Sequence, residues 1–285
     1  MSTPSLTVDP RLARPAPPSA LTLGLARTGL ELRQFFRERD AVIFIFAYPV
    51  IMLAIFATVF GQDGATVGPE PGIPFAQYFL PGMLATGVLL SSFQNLAISI
   101  AVERDEGGLK RLRATPLPAS AYFLGKVGSV LVTSVVQVGL LLVVSAVVFG
   151  IDLPTTTDRW LTFAWVFALG TASGAICGVA FSSLPRSGKS ASAVVTPVVL
   201  VLQFISGVFF TYDSLPSWMQ QVASLFPLKW MAQGMRSVFL PDWAEAGEPS
   251  GSWEHGMTAT VLAAYLVVGL VVGAKTFRWR RRDDG

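Results

Sequence analysis

Charge is the scarcest thing in this sequence. Only 14% of its 285 residues are Asp, Glu, Lys or Arg, against 52% that are hydrophobic, whereas a soluble chain carries about 25% charged residues. A soluble domain is therefore excluded as the main body. There is one cysteine, Cys177, inside an apolar run, so no intramolecular disulfide can form and the residue reads as a small packed side chain. There is one histidine, His255, with no second ligand of metal type nearby. No HExxH, no Cys/His cluster and no Ser/His/Asp set that could meet on one side of a membrane is present, so metal and nucleophilic catalysis have no support. No continuous apolar stretch appears before residue 41, and the run that begins there is too long for the core of a signal peptide. A net charge of +3 makes no case for nucleic acid.

The apolar residues are gathered into runs near or above the ~20 residues that cross a ~30 Å hydrocarbon core. Six spans are expected, at about 41–60, 78–101, 123–149, 160–183, 191–210 and 257–274, with Pro49 a kink in the first and Gly170, Gly174 and Gly178 a packing stripe in the fourth. Residues 1–19, rich in Pro, Ser and Thr, read as a disordered cytosolic tail. Over residues 20–40, Leu21, Leu25, Leu32 and Phe36 share one helical face, with Arg27, Glu31, Gln34 and Glu38 roughly opposite. That pattern predicts an amphipathic helix lying in the membrane interface. The six-span body then covers 41–274, and 275–285 forms a basic cytosolic tail.

Eighteen of the 21 Lys and Arg fall in the two tails, the lead-in helix, the loop between spans four and five, and the segment between spans two and three, leaving Arg159, Lys229 and Arg236 elsewhere. The positive-inside rule then puts both termini and that intervening segment in the cytoplasm. The opposite side receives residues 211–256. Within them, two short amphipathic helices are expected on either side of Pro227, with Trp218, Trp230, Trp243 and Trp253 as an interfacial belt.

Lys126, at the start of the third run, is counted with the cytoplasmic cations, so none of the spans is read as carrying an ionisable group. Ion-coupled transporters usually need one, and energy for transport would come from elsewhere. The neutral polar residues Ser91, Gln94, Asn95, Gln137 and Gln203 are candidates for lining a pathway. Their plainer reading is interhelical hydrogen bonding, typically worth ~0.6 kcal/mol each. Ser-Gly-Lys-Ser at 187–190 imitates the end of a phosphate-binding loop, but Ser183 stands where that motif needs glycine and the segment joins two spans.

The stretch Glu103–Pro118, ERDEGGLKRLRATPLP, is an island of alternating charge. Glu103, Arg104, Asp105 and Glu106 continue the second span, Gly107 and Gly108 break the helix, and Leu109 and Leu112 share a face of a short second helix rimmed by Lys110, Arg111 and Arg113. Pro116 and Pro118 close it. Two apolar knobs in a charged rim suit insertion into a partner's groove.

With Glu103, Glu106, Gly107, Leu109, Lys110, Arg111, Leu112 and Pro116 in this order, the chain resembles a type-2 ABC transporter permease, the membrane subunit of bacterial drug, antibiotic, lipid or polysaccharide exporters, daunorubicin-resistance permeases among them. Gly108 departs from the threonine usual there. Leu215-Pro216, Trp218, Pro227-Leu228 and Arg236 carry a second similarity. The resemblance covers residues 20–280 and implies an all-α integral membrane fold: six transmembrane helices, an N-terminal interfacial helix, a short cytosolic coupling helix within 102–118 and short outer helices before span six. It implies two six-span subunits, as a homodimer in lipid, each docked through its island onto a separate ABC ATP-binding subunit. Glu103, Arg104, Glu106, Gly107, Leu109, Arg111, Leu112 and Pro116 would be the coupling residues. No cofactor belongs to this chain, ATP and Mg being bound by the partner, and the expected function is efflux of a hydrophobic small molecule or antibiotic across the bacterial plasma membrane. Export of a glycan, glycolipid or lipid is the alternative within the family. An integral-membrane enzyme or scaffold is the alternative outside it.

Overall fold

A computed structural model describes residues 18–61 and 65–277. The expected disordered tail, except for Pro18 and Ser19, lies outside the described residues, as does the basic tail beyond Phe277.

Helix α1 (Ala20–Arg37) starts where the Ser19 side chain accepts a hydrogen bond from the Thr22 amide, satisfying one of the orphan donors of a helix N-terminus. At Glu38 the backbone leaves helical geometry (φ −83°, ψ 77°) and the chain turns into α2 (Arg39–Phe60), the first span. A two-stranded antiparallel hairpin, β1 (Thr66–Val67) with β2 (Ile73–Pro74), pairs Thr66 with Pro74 and Val67 with Ile73. The second span is α3 (Phe75–Leu89), a π-helical turn over Leu90–Gln94, and α4 (Asn95–Asp105). After it come the short α5 (Gly108–Arg113), the third span α6 (Ala119–Phe149), the fourth α7 (Thr157–Phe181) and the fifth α8 (Gly188–Ile205). Helices α9 (Ser217–Ser224) and α10 (Pro227–Phe239) precede the last span, α11 (His255–Thr276).

Among the described residues, six helices are long and apolar enough to cross a membrane. The second is the axis of the bundle: 78% of its most apolar stretch is buried, against 22–44% in the other five. Those five turn Val, Leu, Ile and Phe outward, as Val147, Val148, Leu161, Val201 and Val267 do. Such faces fit lipid, in which exposed apolar side chains cost nothing.

Glycines set the closest approaches. A Cβ at Gly174 would meet Ser92 Oγ at 2.3 Å and one at Gly178 would meet the Phe93 carbonyl oxygen at 2.7 Å, so α7 is drawn tightly onto the π-helical turn. The stripe expected in the fourth span is thus a helix-packing surface. α6 ends at Gly150, left-handed at φ 62°, with the Ile151 amide donating to the Ser145 carbonyl, the closure of a Schellman-type cap.

The two short helices expected on either side of Pro227 are present as α9 and α10, but the interfacial belt expected of the tryptophans at this far end, opposite α5, is corrected. α9 fits an interfacial helix, with Trp218 largely exposed. α10 does not, since every residue from Leu228 to Phe239 is buried, against α3, α7 and α11. Its two cations made it look amphipathic, but both find partners inside the protein. The tryptophans divide likewise: Trp218 and Trp243 are exposed, whereas Trp230 and Trp253 are buried, Trp230 donating its indole N–H to the Ser224 carbonyl at 2.7 Å.

Candidate functional site

The island folds as a stub attached to the bundle. Gly107 adopts φ 77° with nothing within 4 Å of a would-be Cβ, so glycine is required there by backbone conformation and not by space. This one left-handed residue turns α4 into α5. Leu109 then faces inward: it is fully buried in a cluster with Leu96, Ile100, Tyr122, Val130, Ala175 and Val179. The expectation that Leu109 is an exposed knob is therefore corrected. A spacing of three fixes a shared face, not which way that face points, and here Leu109 roots α5 in the core while Leu112 packs half-buried at its edge. Glu106, Lys110, Arg111, Arg113 and Pro116 form the exposed surface.

Arg104 is also internal. Its Nη1 donates to the Ser182 carbonyl and its Nη2 to the Pro185 carbonyl, both at 2.8 Å, tying the end of the second span to the turn between α7 and α8. Glu103 points to the other side. It accepts from Tyr122 Oη at 3.0 Å and from Lys126 Nζ, and Arg27 Nη2 lies 3.8 Å away.

Lys126 is the residue that charge counting missed. It sits inside the third span with 1% of its surface exposed, held by Glu103 and by Glu31 Oε2 at 2.7 Å, while Arg27 pairs with Glu31 Oε1 at 2.6 Å. The reading of the spans as free of ionisable groups is corrected accordingly. Two carboxylates from α1 and α4 and two cations from α6 and α1 compensate one another, which is how a membrane segment carries charge. The polar face of α1 consequently looks into the protein, and Leu21, Leu25 and Phe36 look out. Gly125 and Gly128 let α1 lie directly on α6, since a Cβ would come 2.3 Å from Arg27 Cγ at the first and 2.4 Å from Thr28 Oγ1 at the second.

This ion cluster forms one wall of a cavity of about 1160 Å3 between α1, α2, α4, α6 and α8, with Glu106 at its island end. Of the candidate pathway residues, Gln94 and Asn95 line it, joined by Ser129, Thr133, Ser192 and Thr196. The buried Gln94 carries an Oε1 with no hydrogen-bond partner among the described residues. The other three candidates lie elsewhere. Ser91 Oγ meets Ser134 Oγ at 2.7 Å, an interhelical bond between the second and third spans. Gln203 Oε1 accepts from Tyr48 Oη at 2.7 Å. Gln137 packs against Gly87, where a Cβ would come 2.1 Å from its Oε1.

At the far end, Arg236 Nε donates to Glu248 Oε1 at 2.6 Å, with both side chains 4% exposed. Burial, the largest single influence, works against the charge on Arg236, but Glu248, Tyr78 and Tyr212 together outweigh it and raise the pKa. Lys229 lies 3.9 Å from Glu254 and 3.5 Å from the Trp230 ring centroid. Burial depresses its pKa to about 8, with Glu248 and Glu254 opposing the shift.

Comparison with known proteins agrees with this architecture. The sequence model of the family described as ABC-2 type transporter matches residues 26–240. The inner membrane transport permease YadH of Escherichia coli (strain K12) is 25% identical over 193 residues, which cover 67% of this chain and 74% of that protein. The daunorubicin resistance ABC transporter permease protein DrrB1 of Streptomyces coeruleorubidus is 24% identical over 285 aligned positions, covering 93% of this chain and 89% of the relative. The probable multidrug ABC transporter permease YbhR of Escherichia coli (strain K12) is 20% identical over 173 residues, 61% of this chain and 46% of that protein.

Proposed function

The chain belongs to the ABC-2 type transporter family, as a multi-pass plasma membrane protein and the membrane subunit of an ABC transporter, and from that premise we propose that it exports a hydrophobic small molecule, driven by a separate ATPase. The observation that carries this reading is the form of α5: a charged outer surface on a helix whose Leu109 is embedded in the bundle. A partner gripping Glu106, Lys110, Arg111 and Pro116 would move the ends of α4 and α6 with it. Glu103, Arg104, Gly107, Leu109 and Leu112 act behind that surface, holding its shape and joining it to α1, α6 and the α7–α8 turn. ATP and Mg belong to the partner. On this reading the nucleotide site lies in the partner, and the assembled complex is the ATPase.

With the island and both termini in the cytoplasm, the large cavity opens toward the inner leaflet. Its lining combines apolar residues at Phe35, Phe44 and Ile45, neutral polar groups at Gln94, Asn95 and Ser129, and charged side chains over Arg37–Asp40, at Glu106 and in the ion cluster, which suits an apolar molecule carrying polar groups. The names of relatives that refer to daunorubicin resistance and multidrug transport favour efflux of such a compound over glycan export. A homodimer completes the assembly, each copy docked to its own ATP-binding subunit.

The test is capture of the tagged protein from gently solubilised, crosslinked native membranes, followed by mass spectrometry. Wild type is compared with Lys110→Glu plus Arg111→Glu, a change confined to exposed residues. The expected result is a Walker-motif ATPase that accompanies wild type and is lost from the folded variant. A folded wild-type protein that captures no ATPase under crosslinking overturns the reading.

A further inference from the structure

We propose that the far end of the bundle carries a binding site for a neutral, hydroxyl-rich ring of the size of one sugar or cyclitol. The site is a cavity of about 290 Å3 between the β1–β2 hairpin, the start of α3, the residues around Tyr212, the end of α10 and the turn that contains Trp243. It is separate from the large cavity beside the ion cluster, and it does not rest on the transport reading.

Two buried groups in its wall lack partners. Arg236 uses Nε on Glu248 and Nη1 on the Gly207 carbonyl at 3.3 Å, but its Nη2 has no partner among the described residues. Glu248 uses Oε1 on Arg236, and its Oε2 likewise has none. Both side chains are 4% exposed. A buried donor or acceptor left unsatisfied costs about 1–3 kcal/mol, and more when charged, and both residues line the cavity, so a polar group that entered and reached them would relieve that cost. What it presents is one charge-assisted donor beside one charge-assisted acceptor. A hydroxyl, or two hydroxyls on adjacent carbons, answers both at once.

Charge narrows the class. The ion pair is neutral overall, and Asp213 adds a carboxylate to the lining. An anion would meet Glu248 and Asp213, whereas a cation would be brought against the buried Arg236 guanidinium. Neither gains what a neutral ligand gains. The remaining surface is aromatic: Tyr78, Tyr212 and the half-exposed Trp243 line the same space. The Tyr212 hydroxyl is already committed to the Gln220 carbonyl at 2.6 Å, so that residue contributes its ring more than its polar end. Trp243 rests over Gly68, where a Cβ would come 2.9 Å from indole Cζ3. Hydroxyls on one side of a ligand and C–H groups on the other match a charge-assisted pair set among aromatic faces. The volume lies at the lower end of the range for small-molecule sites, which limits the occupant to about one ring.

The test uses the full chain in phosphatidylcholine nanodiscs freed of glycoside detergent. The probes are methyl β-glucopyranoside, methyl α-mannopyranoside and myo-inositol, followed by saturation-transfer NMR and tryptophan fluorescence. Saturable binding of at least one probe is expected, weakened about tenfold or more in Trp243→Ala and in Glu248→Gln. The Trp243 variant changes an exposed side chain, so it decides the matter even where the Glu248 variant fails to fold. Absence of saturable binding by all three probes, which leaves a cavity filled by water alone, overturns the proposal. So does equal binding by wild type and Trp243→Ala, or tighter binding of glucuronate or glucosamine than of the neutral glycosides.

Discussion

Replacing Lys126 by methionine keeps the alkyl stem and removes one charge from a place where four charges are balanced. Lys126 is 1% exposed and bridges Glu31 and Glu103, which come from different helices. Removing one partner of a buried ion pair costs about 3–5 kcal/mol, because the other charge is left uncompensated. Here two carboxylates lose their cation, but the loss is cushioned. Arg27 stays 2.6 Å from Glu31, and Glu103 is 22% exposed toward the cavity. The low end, about 3 kcal/mol, is therefore expected for Lys126→Met. The assay is reversible unfolding in mixed micelles followed by tryptophan fluorescence, with Glu31→Gln and the double variant completing a cycle. Once Lys126 is gone, neutralising Glu31 relieves a buried charge instead of breaking a bond, so a coupling energy of about 1–2 kcal/mol is expected. A Lys126→Met protein within about 0.5 kcal/mol of wild type, the scale of an unremarkable surface change, would refute the claim that this cluster holds α1 to the bundle.

Two further outcomes follow from other parts of the structure. Gly125→Ala and Gly139→Ala lie on the same helix and should differ in sign: the first drives a methyl to 2.3 Å from Arg27 Cγ, while the second meets nothing within 4 Å. Unfolding midpoints should show a loss of about 1–3 kcal/mol for Gly125→Ala and no loss for Gly139→Ala, where helix propensity favours alanine. Lys229, facing Glu248, Glu254 and Arg236 with a pKa lowered to about 8, takes up its proton on unfolding above that pH. Stability should therefore rise from about pH 8 toward pH 10, by at most about 3 kcal/mol, and Lys229→Met should flatten the profile. The measurement stops near pH 10 because Tyr212, raised to about 12 by burial and by Glu248, contributes the opposite slope above it.

The spans were legible because a segment that crosses the hydrocarbon core must be predominantly apolar over about 20 residues. The break at Gly107 was legible because a glycine pair between charges has few other uses. What escaped the sequence was direction and partnership. Leu109 and Leu112 announce a shared face, but only the cluster around Ile100 and Tyr122 decides that Leu109 points inward. Lys126 reads as one more cytoplasmic cation until Glu31, 95 residues earlier, is brought to it. The signal that could have found it was a lone lysine at the head of an apolar run with unassigned carboxylates on the elements before it. The burial of α10 escaped for the same reason, since Glu254 and Glu248, the partners of Lys229 and Arg236, come later in the chain and in no periodic relation to them. Gln94 and Gln137 are alike as residues, but Gln94 lines the cavity whereas Gln137 packs against Gly87, a difference that no sequence pattern carries.

Arg104 shows how the coupling segment could be altered without touching its surface. Its two guanidinium nitrogens hold the Ser182 and Pro185 carbonyls at 2.8 Å each. Both acceptors sit just past the C-terminal end of α7, where unpaired carbonyls and the helix dipole favour a positive charge. Hydrogen bonds to a charged donor are worth about 1.5–3 kcal/mol each. Arg104→Met should therefore free the 182–187 turn from the end of α4 while leaving Glu106, Lys110 and Arg111 exposed as before. Hydrogen exchange is the suitable measurement: faster exchange is expected in peptides covering 182–190, with little change in α11 on the far side of α7. Arg104→Lys should restore part of the protection, because one ammonium cannot reach both carbonyls with the planar fork of a guanidinium. Unchanged exchange in that turn would mean that Arg104 does not clamp it, and that the island is held to the bundle by its other contacts, those of Glu103, Leu109 and Leu112.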